Sequence, residues 1–222
     1  GPSGPLLRST EAMVQRTALP QALCATLARL DVQRDEAEAY LSPQLRNLMP
    51  DPQSLCDMQK ASARLIAAIN SGEKIAIFAD YDVDGATSAA LICLWLRHFG
   101  CTPTLYVPDR IDEGYGPNTA AMQKLAAHHS LIICVDCGTL SHAPIEAAKP
   151  ADVIVLDHHL GAETLPDCLA VVNPNRQDET ADLGHLCAAA VVFLCLVECR
   201  RQLRNAGKDG PDLMSMLDLV AL

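Results

Sequence analysis

The chain changes texture at Gly72. Ahead of it, over residues 20–71, apolar positions recur at helical spacing in "PQALCATLARL", "RDEAEAYL" and "SLCDMQKASARLIAAINSG", the last with a glycine stop. Pro43, Pro50 and Pro52 punctuate the turn "LSPQLRNLMPDP" between them. Behind Gly72, short apolar runs alternate with helical stretches. Strands are predicted at 74–79, 103–107, 130–135 and 152–156, with a further apolar stretch, "CLAVVNP", at 168–174. Helices are predicted at 85–99, 118–128 and 142–149. This alternation implies βαβ units, hence an α/β fold with a parallel β-sheet flanked by helices and a helical N-terminal extension. The expected organisation is a flexible leader over 1–19, a helical region over 20–71 and a main domain over 72–222. The final "DLMSMLDLVAL" reads as an amphipathic helix cut off in mid-course, as if the domain were truncated at its C-terminus.

In open α/β sheets, ligands bind outside the carboxyl ends of the strands. The first strand here runs into Asp80, Asp82 and Asp84, a later one into Asp136, and the next into Asp157, His158 and His159. A single aspartate after a strand is usually a helix cap or turn former. Three strands ending in acids or histidines mean more, because clustered carboxylates repel one another unless cations sit between them. The "DYDVDG" ladder resembles the opening of a calcium loop, but Leu91 stands where that loop needs a bidentate Glu, and the approach is a strand. Mixed carboxylate and imidazole ligands suit manganese, with magnesium as the alternative. The number of ligands implies two ions and a bridging carboxylate. Two metals about 4 Å apart activate a water and stabilise the oxygens of an in-line phosphoryl displacement. A dinucleotide site would carry G-x-G-x-x-G in the turn that here bears three negative charges. A haloacid-dehalogenase-type aspartyl phosphatase wants Thr or Val at Asp84 and does not call for a His pair.

Composition narrows this picture. With 222 residues, half of them hydrophobic, the chain can build one good-sized core. The longest apolar run, "LCAAAVVFLCLVEC" at 186–199, is too short for a membrane span and reads as a buried helix. The opening "GPSGPLLRST" lacks signal-peptide architecture. Ten cysteines are scattered over many predicted elements, so reduced thiols in a cytoplasmic protein are expected. Cys134 and Cys137 have zinc or redox spacing, yet no second pair completes a site, and a structural role is expected. The net charge of −10 argues against broad nonspecific binding to nucleic acid. Either the acid is concentrated in a metal site or the surface that grips a polyanion lies elsewhere. Arg200, Arg201, Arg204 and Lys208 form a basic run expected to be a solvated face, and His128 and His129 are expected at the surface.

Taken together, "DYDVDG", "VDCG" and "LDHH" resemble the DHH phosphoesterases, the family for which Asp157, His158 and His159 are the naming triplet. "AYLSPQLRNLMPDP", "VPDRIDEGYGPN" and "AVVNPNRQDE" narrow the resemblance to its single-strand-specific 5′ exonucleases. It covers nearly the whole chain from about residue 20. The resemblance implies a manganese-dependent exonuclease core acting on single-stranded DNA in repair and recombination. It assigns Asp80 and Asp82 to one ion, Asp84, His158 and Asp218 to the other, and Asp136 to both. Catalytic roles fall to Asp136, Asp157 and His159, with His159 contacting the scissile phosphate or positioning the water. Arg110 either meets a substrate phosphate or pairs with Asp109, Asp112 or Glu113. Implied partners are single-stranded DNA, further C-terminal domains of the same protein, a single-strand-binding protein and a helicase. Cys137 stands where relatives often carry Asn, and Ala190 where many keep Gly. The alternatives are a DHH-type pyrophosphatase or small-oligonucleotide phosphodiesterase, and a non-catalytic replication module.

Overall fold

Five parallel strands form one sheet in the order β2-β1-β3-β4-β5. They are β1 (Ile75–Ala79), β2 (Thr104–Tyr106), β3 (Leu131–Val135), β4 (Asp152–Leu156) and β5 (Ala170–Val172). The computed structural model describes residues 4–221. Every residue of β1, β3 and β5 is buried, as expected where helices cover both faces of a parallel sheet. The predicted strands all form, each within two residues of its expected ends.

Alternation along the strands sends successive side chains to opposite faces. On one face Ala76, Phe78, Ile132, Cys134, Val153 and Val155 pack with Met122 and Leu125 of α7 (Thr119–Ala126) and Ile145 of α8 (His142–Glu146). The other face meets α5 (Met58–Asn70), α6 (Val83–His98) and α9 (Ala188–Asn205). α5 buries Met58, Ala61, Ser62, Leu65 and Ala68, one stripe at helical spacing. Each fully buried Leu, Ile or Phe in these layers contributes about 1.5–3 kcal/mol. α9, the longest apolar run in the sequence, is the central core helix of its layer.

Two ion-pair clamps hold this unit. Arg64 in the middle of α5 reaches Glu73 at 2.6 Å and Asp152, the first residue of β4, at 2.6 Å. Arg176, nearly buried, joins Asp57 at 3.0 Å and donates to the Val171 carbonyl at 2.6 Å. The basic run is less free than its sequence implies, since Arg201 pairs with Glu198 at 2.7 Å and Lys208 bonds Asn70. His129 is likewise a joint, bridging the Leu125 carbonyl and the Thr104 hydroxyl at 2.8 Å each.

The N-terminal organisation departs from expectation in two ways. Residues 4–16 are a helix, α1 (Gly4–Arg16), where a flexible leader was expected. Leu6, Thr10 and Met13 line one of its faces, and it packs on α2 (Gln21–Arg29) around a small core of Met13, Cys24, Leu27, Val32 and Ala37. Short helices α3 (Ala37–Leu41) and α4 (Leu45–Leu48) complete that unit. The boundary also falls earlier than residue 72, because the chain divides into Gly1–Pro50 and Asp51–Leu222. α5 belongs with the sheet because its buried stripe packs on β5 and α9. Among the described residues no helix is long and apolar enough to cross a membrane.

Candidate metal centre

Asp80, Asp136 and Asp157 each follow the last residue of a strand, and those strands are neighbours. Ala79 pairs with Val135 and Val135 with Leu156, so the three aspartates stand in one row at the carboxyl edge. Their amides extend the ladder: Asp80 donates to Val135, Asp136 to Leu156 and Asp157 to Val172. The register of the strands alone then brings three aspartates to one edge of the sheet.

The first turn is shaped by Asp82 and Gly85. Asp82 caps α6, accepting from the Gly85 amide at 3.0 Å. A Cβ at Gly85 would collide with the Asp80 carbonyl, so only glycine lets the helix start against the strand end. Asp84, in the first turn of α6, sends its carboxylate to α9. Its two oxygens accept from the amides of Ala188 and Ala189 at 2.7 Å each. Cys187 makes no side-chain cap of its own, so Asp84 supplies the cap of α9 from 104 residues away.

Asp136 lies at the centre. Its backbone is left-handed, φ 59°, a conformation that Asp tolerates better than most residues. It is 1% exposed, and neither carboxylate oxygen has a hydrogen-bond partner. His158 Nε2 approaches it at 3.3 Å without hydrogen-bond alignment and stands 3.5 Å from Asp84. Burial, then the charges of Asp84 and Asp82, push the Asp136 carboxyl up to about 8. Burial likewise raises Asp80, one of whose oxygens is also without a partner.

In each of two triads the ligand atoms lie within 4.8 Å of one another: Asp80, Asp82 and Asp136, and Asp136, His158 and His159. Asp136 belongs to both. Buried acceptor oxygens without donors, flanked by imidazole nitrogens, fit divalent cations that take oxygen and nitrogen ligands.

Asp157 plays a different part. Its oxygens are filled by donors: the amides of His158 and His159, His159 Nδ1 at 2.8 Å, and the amide and hydroxyl of Thr139 at 3.1 and 2.7 Å. Burial alone would raise its carboxyl, but the bonds from His159 and Thr139 hold it at about 2. Asp157 therefore fixes the histidine loop. The same bond, more than any other cause, raises the pKa of His159. Asn173 ties Thr139 to the His159 carbonyl at 2.8 Å each, and Asn175 holds the His158 carbonyl at 2.6 Å. The Tyr115 hydroxyl donates to the Asp136 carbonyl at 3.0 Å and sits against the His159 ring. Thr139, Asn173, Asn175 and Tyr115 received no role from the sequence. Tyr115, Asn173 and Asn175 carry one signal, their place in "VPDRIDEGYGPN" and "AVVNPNRQDE", and Thr139 lies just past "VDCG".

The remaining expected residues divide. Among the described residues Arg110 pairs with none of Asp109, Asp112 or Glu113; its guanidinium lies over the Tyr81 ring at 5.4 Å. Two of those acids are occupied by the loop itself, Asp109 taking the Ile111 and Asp112 amides and Glu113 taking Tyr106, Asn118 and the Asp109 amide. Asp218 is not brought into either triad. It lies on the four-residue α10 (Asp218–Ala221), while Leu219 is turned into a cavity beside Asp80 and Tyr81. Asp218 is exposed there, and its carboxylate accepts from the Leu219 amide at 3.0 Å. Cys134 and Cys137 are sealed in the core, and burial raises both thiols. That is a structural role. All ten cysteines are free.

A parallel sheet whose carboxyl edge gathers this row of acids and the Asp-His-His turn defines a family. A family profile described as "DHH family, N-terminal domain" matches residues 74–222, and the chain belongs to the DHH family. It is 37% identical over 221 residues to the single-stranded-DNA-specific exonuclease RecJ of Escherichia coli K12, covering 94% of this chain and 38% of that protein. RecJ from Thermus thermophilus, solved in complex with Mn2+, superposes with a TM-score of 0.75 at 25% identity, over 97% of this chain and 30% of that one. A second solved structure, exonuclease RecJ bound to manganese, gives 0.66 at 30% identity, over 75% of this chain and 42% of that one. The chain thus spans less than half the length of these relatives.

Proposed function

We propose that this chain is the catalytic core of a manganese-dependent exonuclease that hydrolyses single-stranded DNA from its 5′ end. The observation that carries the reading is Asp136, a buried carboxylate without donors, shared by two triads of ligand atoms. Its relatives' names, as single-stranded-DNA-specific exonucleases and as manganese complexes, support the substrate and the metal. Asp80, Asp82 and Asp136 would hold one ion; Asp136 and His158, with Asp84 at its edge, the other. When bound, two such ions supply an activated water and charge neutralisation at the phosphorus oxygens. Magnesium is the alternative metal.

The chain's own residues do the rest. Asp157 keeps the proton of His159 on Nδ1, which leaves Nε2 with the lone pair. His159 accepts or directs the proton of the attacking water, or meets the scissile phosphate, from that nitrogen. Arg110, outside any ion pair among the described residues, neutralises a substrate phosphate. The roles in DNA repair and recombination, the cytoplasmic location, the remaining domains of a longer chain, a single-strand-binding protein and a helicase belong to the same proposal.

The test is release of mononucleotides from 5′-labelled single-stranded DNA with manganese, with and without chelator. Hydrolysis that stops with chelator and with Asp136→Ala supports the reading. Release that survives Asp136→Ala, or cleavage confined to pyrophosphate or dinucleotides, overturns it.

A further inference from the structure

Asp136 must keep its carboxylate oxygens clear of donors if cations are to take them, and no hydrogen bond to that side chain sets its aim. Asp157 is the opposite case, its oxygens filled and its position fixed through them. The direction of the Asp136 carboxylate therefore comes from its backbone. Its amide donates to the Leu156 carbonyl at 2.9 Å. Its carbonyl, in a left-handed residue, accepts from the Tyr115 hydroxyl at 3.0 Å, the one donor it has among the described residues. Two bonds thus bracket the Cα that carries the carboxylate. The loop over 107–118 is shaped to deliver the second of them. Gly114 and Gly116 flank Tyr115 with φ of 80° and 76°, a conformation open to glycine and costly to other residues. The loop is also braced without Tyr115. Glu113 accepts from the Tyr106 hydroxyl, the Asn118 side chain and the Asp109 amide, and Asn118 caps α7.

We infer that Tyr115 is a positioning residue of the metal centre: its hydroxyl fixes the backbone turn that aims the carboxylate shared by both triads, and so sets the affinity for divalent cations. The inference rests on the metal-dependent exonuclease reading and names the residue that joins the loop carrying Arg110 to the cations. The hydroxyl takes no part in holding its own loop, and it reaches 21 residues along the chain to the end of β3. Without that bond the Asp136 peptide is released on one side. Its carboxylate, crowded by those of Asp82 and Asp84, then swings away from the point where the two triads meet. A cation would have to restore the turn before binding, which lowers its affinity.

The test is manganese binding to the whole chain without DNA, followed by the electron paramagnetic resonance signal of free Mn2+. Tyr115→Phe keeps the ring that lies against His159 and removes the hydroxyl alone. Its manganese dissociation constant should rise about tenfold or more, as for other groups that orient metal ligands. Tyr106→Phe is the control, since it also removes a phenolic hydrogen bond, to Glu113 in the same loop. Each variant should lower the melting temperature of the metal-free chain by about 2–4 °C. Tyr106→Phe should keep manganese affinity within about twofold, because it leaves the groups around the ligands in place. In hydrolysis, the manganese concentration for half-maximal rate should rise in Tyr115→Phe in proportion to the dissociation constant, with KM for DNA unchanged at saturating manganese. Unchanged affinity in Tyr115→Phe, or equal loss in both variants, overturns the inference. So does a lower rate at saturating manganese with affinity intact, which would place the action of the hydroxyl at His159. A parent chain that binds no manganese overturns the inference and the exonuclease reading together. Failure of the exonuclease reading alone is seen as manganese binding without hydrolysis of single-stranded DNA.

Discussion

His159 Nδ1 stands 2.8 Å from Asp157 Oδ1, and that carboxylate is 1% exposed. The imidazole is therefore oriented by a group that never meets substrate, and the five donors on Asp157 leave it no spare oxygen for a metal. Asp157→Asn keeps the size but turns an amide NH2 donor toward groups that also donate. Hydrolysis should fall by about 10–100-fold, and the folded state should lose about 1–3 kcal/mol. Rates and urea unfolding of the variant check this; an unchanged rate would remove Asp157 from its positioning role.

Asp136 makes metal binding pH-dependent. Its carboxyl, raised to about 8 by burial and by Asp84 and Asp82, holds a proton at neutral pH in the metal-free protein. A divalent cation must displace that proton. Manganese affinity should accordingly rise as pH climbs toward about 8 and level off above it. Titration calorimetry at pH 7 in buffers of different ionisation enthalpy should detect roughly one proton released. Affinity that is flat across this range would show that Asp136 is not a ligand.

Cys137 and Asp136 are neighbours with opposite expected sensitivity. The Cys137 thiol is sealed in the core and points back to the Val135 carbonyl at 3.3 Å. A serine hydroxyl can make the same bond, so Cys137→Ser should keep full activity and cost about 1 kcal/mol or less. Asp136→Ala should abolish hydrolysis. Comparable losses in the two variants would restore a metal or redox role for the cysteine pair.

The clamp of Arg64 on Glu73 predicts acid sensitivity. Arg64, with help from Ser130, holds the Glu73 carboxyl below its ordinary 4.5. A depressed folded pKa adds stability above the unfolded value and loses it as pH falls through the folded one. Glu73→Gln should thus be less stable than the parent at pH 7, by about 0.5–1 kcal/mol, and the gap should close below about pH 4. A gap that persists at low pH would assign the effect to packing.

Much of the fold and part of the site are legible in the sequence. Strands buried on both faces read as unbroken apolar runs, and the residue after each run is fixed at the sheet edge by the ladder itself. That is why Asp80, Asp136 and Asp157 could be placed together. The supports could not be found this way. Asn173 and Asn175 matter because β5 pairs beside β4, and the amides that seat Asp84 have no side-chain signature. α1 has no strong signal in the sequence because its apolar face is narrow and packs into a small core with α2. Asp218 comes from a motif, and it stands exposed on a four-residue helix.

The seat of Asp84 has a consequence in time. During synthesis Asp84 appears 104 residues before Ala188, an interval of roughly 5–20 s at ordinary elongation rates. By the end of that interval every residue of both triads has been made, yet nothing yet fastens Asp84 or starts α9. The nascent chain thus possesses the cation-binding side chains before it possesses their native frame. Two peptide N–H groups, whatever side chains accompany them, decide when the centre is finished.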